Sequence, residues 1–486
     1  MTKETQEGLT VTKEGDFSEW YQELITKAEL ADYSSVSGCI VFRPRAYQIW
    51  EKTKSVIDKE FKKIGIQNSY FPLFIPKKLL AKESKHVEGF TPEVAWVTHA
   101  GSTKLNEKLA VRPTSEAIMY DSYSKWIRSH NDLPLKLNQW NNVVRWEFKH
   151  PVPFLRTREF LWNEGHNVYS NAKDLEKDRK AIMKIYQNFM KNYMALPSLP
   201  GKKSDKEKFA GAEATYSFEL MLPNGKAIQG PDYHDDGQNF AQAYDINFLD
   251  KKGNTQFAYQ STYAITTRML GVMFAIHSDN SGLIIPPKLA KNKVVIVPIL
   301  FDKTKKKVLK KAKEIEKSLA RFSPILDERE DYTPGWKFNE WELKGIPIRI
   351  EIGPKDLKNK SVTISKRTQP EKNKKFQIKI SDLEEQLPSL LDEIQDELYK
   401  KAKKLLDSSK TKAKTIAELI KAIENKKIAL APVCGKVECE DIIKDKTGGA
   451  KTLNAPLNQK KYAIKGKKCL ACNKKAKYHI YIGKSY

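Results

Sequence analysis

The pattern of strands between residues 92 and 285 constrains the fold of this chain most strongly. Strand-like runs alternate there with turns, and a single long helix, predicted at 172–196, interrupts them. The runs lie at 93–98, 136–148, 159–169, 216–222, 243–249 and 256–264. This order favours a mainly antiparallel sheet flanked by helices over alternating βαβ units. We therefore predict an α+β domain, which amphipathic helices near Asp16 and Pro44 precede.

Beyond Pro286 and Pro287 the sequence predicts a separate α/β domain. A buried-type strand at 293–299 is followed by a Lys- and Glu-rich helix at 304–321 and by strands near 347–352 and 361–365. A Lys-rich helical stretch then leads into a small α+β tail. We predict a disordered N-terminus at 1–16 and domains at 17–287, 288–400 and 401–486. About three domains is also what a length of 486 residues suggests.

The charge balance of the chain points to a polyanionic partner. Lys and Arg total 86 against 60 acids, a net charge of +26, and each neutralised phosphate releases counterions. A Lys-rich genome composition is the alternative explanation. No run of about 18 apolar residues is present, and the polar N-terminus resembles neither a secretory signal nor a transit peptide. We expect a cytoplasmic protein that does not cross a membrane.

Two arginine-containing segments suggest a nucleotide site. Strand periodicity would place Arg145 and Glu147 on one sheet face, and a loop then returns the chain towards Arg156. Arginines on neighbouring strands can bind a triphosphate through bidentate hydrogen bonds, and Phe160 can stack on a base. Surface salt bridges within 156–159 are the alternative.

A third arginine stands where a strand rich in small residues, 259–267, leads into an apolar helix. Arg268 lies at that junction, and a buried arginine in an apolar helix needs an anionic partner. A helix N-terminus directed at phosphate is the functional interpretation. A surface arginine at a helix start is the alternative.

Together these segments resemble the motifs of class II aminoacyl-tRNA synthetases. Pro72 takes the place of that class's dimer-interface proline, Arg145 and Glu147 that of its Arg-x-Glu motif, and Arg268 that of its third-motif arginine. Longer stretches resemble prolyl-tRNA synthetases of the archaeal and eukaryotic type, from about residue 16 to the end. They are FTPEVAW at 90–96, VRPTSE at 111–116, WEFKHP at 146–151 and GWKF at 335–338.

This resemblance implies the class II fold, a homodimer, and ATP-dependent ligation of L-proline to tRNA(Pro) through prolyl-adenylate, with Mg²⁺ assisting. Arg145 and Arg268 are the implied catalytic residues. The proline site implied by the family consists of Thr114, Glu116, Arg145 and His234. The implied ATP contacts are Arg145, Glu147, Arg156, Thr157, Phe160, Gln229, Asp232, Thr266 and Arg268. Chemically, Glu116 would accept from the secondary ammonium of proline, and Arg145 would pair with its carboxylate.

Two residues depart from the family pattern near the implied site. Asp232 lies in a Pro-Asp-Tyr run where many relatives have Gly-Thr-Ser, and it would bind a metal or hydrogen-bond the ribose. Tyr263 replaces a tryptophan of close relatives, so we expect a different wall in the proline pocket. Arg145 and Arg268 are 123 positions apart (268 − 145), too short a stretch for the editing domain of bacterial-type relatives.

The domain at 288–400 resembles the family's anticodon-binding domain. Proline anticodons contain two guanines, which a carboxylate and an arginine can recognise through base-edge hydrogen bonds. By motif position we expect Glu342 and Arg349 to do so. A surface ion pair between them is the alternative.

The tail contains four of the five cysteines, in two short-spaced pairs: Cys434, Cys439, Cys469 and Cys472. Four thiolates suffice for a closed tetrahedral zinc site, which many members of the family carry in this domain. Four free thiols are the alternative, and the fifth cysteine, Cys39, is expected to be a small core residue. The chain ends in Tyr486, as relatives also end in tyrosine, and its role is open.

Two other functions compete with this one. A non-catalytic tRNA-binding paralogue usually loses a motif arginine, whereas Arg145, Arg156 and Arg268 are all present. A threonyl or glycyl enzyme is the other alternative. Threonyl enzymes place zinc in the amino-acid pocket, whereas the cysteines here cluster in the tail.

Overall fold

The computed structural model describes residues 8–80, 93–147, 150–369 and 375–486. The motifs at 90–96 and 146–151 therefore lie partly outside the described residues.

An eight-stranded sheet forms the centre of the first domain. In spatial order its strands are Ala455–Pro456, Leu199–Lys202, Ala214–Met221, Ala227–Gly237, Tyr259–Thr266, Glu159–Tyr169, Leu135–Val144 and Gln67–Asn68. All neighbouring pairs are antiparallel except the last, which is parallel. The prediction of a mainly antiparallel sheet is confirmed.

One face of this sheet packs against helices, because alternate side chains of a strand point to opposite sides. Tyr233 and Tyr263 stack on that face with ring centroids 6.2 Å apart. They belong to the same hydrophobic core as helices Pro44–Lys63 and Ala172–Asn192. Gly165 makes room for this packing, since a Cβ there would lie 1.9 Å from Cζ of Tyr263. The opposite face stays available for a site.

The central strand Ala227–Gly237 was not predicted. It contains two glycines, a proline and three aspartates, which are all depleted in strands. It forms because it is hydrogen-bonded to Ala214–Met221 on one side and to Tyr259–Thr266 on the other. Tertiary pairing here overrides local propensity.

Other differences from the prediction are local. Strand Thr103–Val111 and helix Glu116–Trp126 were missed, and the stretch 243–249 contains the end of helix Asn239–Tyr244 before strand Asn247–Leu249. An interruption at 69–73 separates strand Gln67–Asn68 from strand Phe74–Pro76, which belongs to a second sheet with Thr103–Val111 and Trp96–Ala100. Pro72 lies in the interruption, and proline has no N–H for a ladder.

Residues 8–16, part of the segment 1–16 for which we predict disorder, make specific contacts in the structure. Lys13 Nζ donates to the carbonyl oxygens of Ile276 (3.2 Å) and Ser278 (2.7 Å) at the end of helix Arg268–His277. The backbone N–H of Thr10 donates to Glu23 at 2.7 Å. These contacts are polar, so the apolar pattern of the segment did not reveal them. Residues 1–7 lie outside the described residues.

The predicted α/β domain contains a five-stranded sheet, with three parallel strands followed by two antiparallel ones. The strands, in spatial order, are Ile325–Leu326, Val294–Pro298, Ile348–Ile352, Ser361–Lys366 and Lys375–Lys379. Its helices are Lys305–Ser318, Pro334–Leu343 and Pro354–Asn359.

Helix Leu383–Ser408 runs through the boundary predicted at residue 400 and connects the second domain to the third. The third has a sheet of Lys410–Lys412, Ile428–Val433, Tyr478–Gly483 and Lys451–Thr452, with helices Ile416–Glu424 and Val437–Lys446. Its strand Ala455–Pro456 extends the large sheet beside Leu199–Lys202. The third domain is therefore attached to the edge of the first.

The described elements also include two short hairpins and an N-terminal helix. They are helix Phe17–Lys27, strands Ala31–Tyr33 and Ile40–Phe42, and strands Asn247–Leu249 and Thr255–Phe257. Within the described ranges, no helix combines the length and the apolar character needed to cross a bilayer.

Candidate active site

A cavity of about 630 Å³ lies over the sheet face that carries Glu164, His166 and Thr262. Eleven of the twelve residues predicted for the proline and ATP sites line it. They are Thr114, Glu116, Arg145, Glu147, Thr157, Phe160, Gln229, Asp232, His234, Thr266 and Arg268. The twelfth, Arg156, lines an adjoining cavity of about 210 Å³ that also borders Gln229 and Arg268. Residues far apart in sequence thus meet in one place.

One end of the cavity combines an acid, a hydroxyl and a neutral imidazole. Thr114 Oγ1 donates to Glu116, and both residues are buried at the start of helix Glu116–Trp126. His234 Nδ1 lies 2.9 Å from Thr215 Oγ1. Burial lowers the pKa of His234 even though the carboxylates of Asp232 and Glu116 oppose it, so the ring is neutral at pH 7. Glu116 therefore supplies the negative charge at this end.

A buried network behind this end was missed by the sequence analysis. Glu164 accepts from the backbone N–H of Ser115 (3.1 Å) and from the side chains of Ser115, Gln139 (2.8 Å) and Asn141 (2.7 Å). His166 Nε2 lies 3.3 Å from the same carboxylate. Burial alone would raise the pKa of Glu164, but these hydrogen bonds hold it below its ordinary value. The charged carboxylate fixes the backbone beside Thr114 and Glu116.

Arg145 lies at the middle of the cavity wall. Its strand ends at Val144, so the prediction that strand periodicity places it beside Glu147 is wrong, although both residues line the cavity. Arg145 Nε donates to the carbonyl oxygen of Pro113 at 2.9 Å. Its guanidinium lies 5.6 Å from the ring centroid of Phe160 and 5.3 Å from that of Trp162. These contacts orient a cation over two aromatic rings.

Arg268 is the first residue of helix Arg268–His277 and faces both cavities. Its guanidinium donates to the carbonyl oxygens of Leu155 (3.3 Å) and Gln229 (3.5 Å). In the described part of the chain it forms no ion pair within 4.0 Å. Burial lowers the pKa of Arg268, with Asp232 opposing and Arg145 and Arg156 adding to the effect. A half-buried guanidinium without a paired carboxylate suits an anionic ligand such as phosphate.

The two departures from the family pattern have different positions. Asp232 lines the cavity, accepts from Gln229 Nε2 at 2.8 Å and lies 3.7 Å from His234 Nε2. Tyr263 also borders the cavity, but its ring packs on the helical face, 5.5 Å from the ring of Phe61, and its hydroxyl lies 3.3 Å from Asn167 Oδ1. The expectation that Tyr263 reshapes the proline pocket is therefore not supported by the direction of its ring.

The C-terminal residue reaches the adjoining cavity. Tyr486 lines it together with Arg156, and its backbone N–H donates to the carbonyl oxygen of Ala227 at 2.8 Å. The N–H of Ala227 in turn donates to Lys484 at 2.8 Å. The chain end is thus hydrogen-bonded to a strand of the large sheet.

The predicted anticodon residues lie together in the second domain. Arg349 Nη1 and Glu342 Oε1 are 2.9 Å apart, and Arg349 Nε is 3.1 Å from Glu351. The guanidinium of Arg349 lies 4.2 Å from the ring centroid of Phe338. Arg349 is 6% exposed and Glu342 is half-buried, so the two residues form a partly buried ion pair.

The four tail cysteines converge. Their Sγ atoms all lie within 4.8 Å of one another, with Cys434 at 3.4 Å from Cys439 and 3.8 Å from Cys472. Four thiol sulfurs at Zn–S distances of about 2.3 Å would have similar separations, so the set fits a tetrahedral zinc ion. A hydrogen bond from the backbone of Lys474 is the main cause that lowers the pKa of Cys472 to about 7. This favours the thiolate form of Cys472, whereas burial raises the pKa of the Cys439 and Cys469 thiols.

A further acidic residue, Asp236, is buried close to Glu116 of the large cavity, and its carboxyl group makes no hydrogen bond within the described residues. Asp236 is 0% exposed. Burial, reinforced by the charge of Glu116, raises its pKa well above the ordinary value. The folded state therefore holds a proton that the unfolded chain releases above pH ~4. The contribution of Asp236 to folding stability is therefore lost as the pH rises from about 4 to the raised pKa of folded Asp236.

We expect Asp236→Asn to be more stable than the wild-type chain at pH 8, by about 1–3 kcal/mol, because asparagine is neutral without the proton that Asp236 must take up on folding at that pH. The difference should shrink towards pH 4. Urea unfolding at several pH values measures it, with Asp302→Asn, an exposed residue, as the control. A variant less stable than wild type at pH 8 would contradict this interpretation of Asp236.

Comparisons with known proteins add to this geometry. Three family descriptions match: "tRNA synthetase class II core domain (G, H, P, S and T)" at 96–277, "Anticodon binding domain" at 293–390, and "Prolyl-tRNA synthetase, C-terminal" at 416–486. Proline--tRNA ligase 2 of Bacillus thuringiensis subsp. konkukian is 44% identical over 487 residues, covering 100% of each chain. The bifunctional glutamate/proline--tRNA ligase of Mus musculus is 42% identical over 506 residues, covering 100% of this chain and 33% of that protein. A crystal structure of prolyl-tRNA synthetase from Cryptosporidium parvum, complexed with halofuginone and AMPPNP, has a TM-score of 0.93 and 42% identity, covering 99% of this chain and 98% of that one.

Proposed function

Since the chain belongs to the prolyl-tRNA synthetase family, we propose that its large cavity activates proline with ATP and that the prolyl group then passes to tRNA(Pro). The chain is a proline--tRNA ligase, which joins proline to tRNA at the expense of ATP. This excludes the threonyl and glycyl alternatives and the non-catalytic paralogue. The observation that carries the assignment of the cavity is the convergence of eleven motif residues on its wall.

We propose that proline binds at the end of the cavity near Glu116. The secondary ammonium of proline would donate to Glu116 and Thr114, whose hydrogen bond already places their oxygens side by side. The proline carboxylate would pair with Arg145. His234, which is neutral at pH 7, would lie beside the pyrrolidine ring of proline and would not compete with Arg145 for the proline carboxylate.

ATP would occupy the rest of the cavity. Arg156 and Arg268, which border the junction of the two cavities, would hold the terminal phosphates, and Phe160 would stack on the base. Further contacts to the base, ribose and phosphates would come from Glu147, Thr157, Gln229, Asp232 and Thr266.

In the first step a carboxylate oxygen of proline attacks the α-phosphorus of ATP. A carboxyl-oxygen–phosphorus bond forms, the bond from that phosphorus to the bridging oxygen breaks, and pyrophosphate leaves. No proton moves, so the step needs no general base. Arg145, between the carboxylate and the α-phosphate, and Arg268 would align the reactants and stabilise the developing charge.

In the second step a hydroxyl of the terminal ribose of the tRNA attacks the acyl carbon of prolyl-adenylate. An ester bond forms, AMP leaves and the hydroxyl loses its proton. Glu342 and Arg349 would select the tRNA by hydrogen bonds to anticodon guanines, with Phe338 available for stacking.

We propose two metal ions, Mg²⁺ with the ATP phosphates and Zn²⁺ in the third domain. Asp232 and Glu219 carry carboxylates near Arg268, and oxygen is the ligand type that Mg²⁺ prefers. With ATP phosphates they would hold Mg²⁺, which would neutralise phosphate charge. Zn²⁺ would be held by Cys434, Cys439, Cys469 and Cys472 and would stabilise the third domain.

A homodimer and a cytoplasmic location are also proposed. The homodimer is supported by exposed aromatic side chains around Pro72, since Tyr70 is 71%, Phe74 45% and Trp126 52% exposed. A tRNA substrate supports the proposed cytoplasmic location. The wider function is tested by proline-dependent exchange of pyrophosphate into ATP by the purified chain.

A further inference from the structure

The last 41 residues, 446–486, contain eleven lysines and no aspartate or glutamate. Eight of these lysines lie within 460–477, and all eight are exposed. They are Lys460, Lys461, Lys465, Lys467, Lys468, Lys474, Lys475 and Lys477. We call them the lysine surface. In the described part of the chain none of the eight forms an ion pair with a carboxylate, although other lysines of this domain and its neighbours do.

The backbone holds part of this surface in a fixed arrangement. The N–H of Ala476 donates to the carbonyl oxygen of Lys467 at 3.0 Å, and that of Cys469 donates to Lys474 at 2.7 Å. Lys468 therefore pairs directly with Lys475 across a bridge. Like charges placed opposite each other destabilise a strand pair. A polyanionic ligand would remove this repulsion.

The cysteine cluster adds to the rigidity of the lysine surface. Cys469, 1% exposed, and Cys472 lie between the two lysine pairs and contact the other tail cysteines. The lysines therefore cannot move apart by unfolding this turn without separating the four thiols. Their compact ammonium groups suit phosphates, which attract them as point charges.

The attachment of the third domain places it beside the catalytic domain. Strand Ala455–Pro456 pairs with Leu199–Lys202 at the edge of the large sheet, and residues 206–210, which follow that strand, line the large cavity. Lys206 also pairs with Asp441 of the third domain. A long polyanion whose end enters the cavity would pass close to this domain.

We propose that the lysine surface binds the phosphate backbone of the tRNA, independently of base sequence and separately from the anticodon residues. The identity of the RNA rests on the proposed function. The surface would raise the affinity for tRNA through counterion release and would leave the tRNA-independent activation of proline unchanged.

The test compares two variants of the full chain, each of which changes four lysines to glutamine. One changes Lys467, Lys468, Lys474 and Lys475. The matched control changes Lys173, Lys177, Lys180 and Lys184, exposed on helix Ala172–Asn192, which covers the other face of the large sheet. Both variants lower the net charge from +26 to +22 (26 − 4). Binding of a tRNA(Pro) transcript is measured by fluorescence anisotropy at several salt concentrations.

We expect the first variant to bind at least about tenfold more weakly at 0.1 M salt, with a slope of log affinity against log salt that is smaller by about 3. The control should keep the wild-type slope, and both should keep proline-dependent pyrophosphate exchange. Because Lys468 directly precedes Cys469, a further surface variant changes Lys460, Lys461, Lys465 and Lys477 instead and should show the same direction of effect.

Equal slopes in the wild type and in both surface variants would overturn the proposal. Loss of binding to phosphatidylserine vesicles with an unchanged tRNA slope would also overturn it, in favour of a lipid partner. If the wild-type chain showed no exchange but the surface variants still lost tRNA binding, the proposed function would fail and the RNA-binding surface would stand.

Discussion

Replacement of Arg268 by alanine is expected to lower kcat/KM for proline-dependent pyrophosphate exchange on the order of 10³-fold or more. The guanidinium borders both cavities and has only carbonyl oxygens as partners in the described structure. Preorganised cations that stabilise a transferring phosphate contribute effects of this size. Lysine at this position should recover little activity, because it lacks the bidentate geometry of arginine.

The same substitution should not destabilise the chain. Partial burial of a guanidinium without a carboxylate costs free energy in the ligand-free protein, so Arg268→Ala should unfold close to the wild-type temperature. The control is Arg321→Ala, whose side chain is 56% exposed in the second domain, and it should keep full exchange. Exchange by Arg268→Ala within about tenfold of wild type would contradict a role in phosphate binding.

Removal of the zinc site is expected to have the largest effect on stability. Cys434→Ser combined with Cys469→Ser leaves two thiols of the four, and closed four-thiolate sites need all their ligands. Structural zinc contributes about 10–16 kcal/mol in isolated zinc-finger peptides, compared with about 0.5–3 kcal/mol for most substitutions. The third domain should therefore unfold well below the rest of the chain. Metal analysis and calorimetry measure both consequences.

The matched control for this experiment is Cys39→Ser, which lies outside the cluster. It should retain one zinc per chain and the wild-type unfolding profile. A strong chelator should reproduce the effect of the double substitution in the wild-type chain. A wild-type chain that contains no zinc, and whose unfolding a chelator does not change, would contradict the zinc proposal.

Residues that carry charge in a recognisable motif could be placed from the sequence. Arg145, Glu116 and Arg268 have chemistry that fits an amino acid and a triphosphate, and all three line the cavity. The ends of the strands and helices around these three residues could not be predicted from the sequence. Nothing in the sequence shows that the strand before Arg145 ends at Val144.

The network around Glu164 and His166 could not be predicted, because it depends on register between strands. His166 pairs with Thr262, and Thr262 with His234, so three strands bring these side chains into one row. The strand 163–167 is polar at nearly every position, so alternation did not distinguish its two faces. A polar strand amid apolar ones was the available signal.

For Tyr263, too, the direction of the side chain depends on strand register and could not be predicted from the sequence. Its position in a motif suggested the pocket wall, whereas the pairing of Tyr263 with Gly165 directs its ring to the helices. A shift of one residue in the strand register would have directed the ring of Tyr263 to the cavity face of the sheet.

The central claim is that this chain activates proline with ATP, and it is tested most directly by pyrophosphate exchange with each of the twenty amino acids. The account predicts strong exchange with proline in the absence of tRNA. Alanine and cysteine should give the largest residual rates, because small apolar competitors are rejected only about 10–200-fold per methylene. No exchange with proline, or faster exchange with another amino acid, would contradict the account.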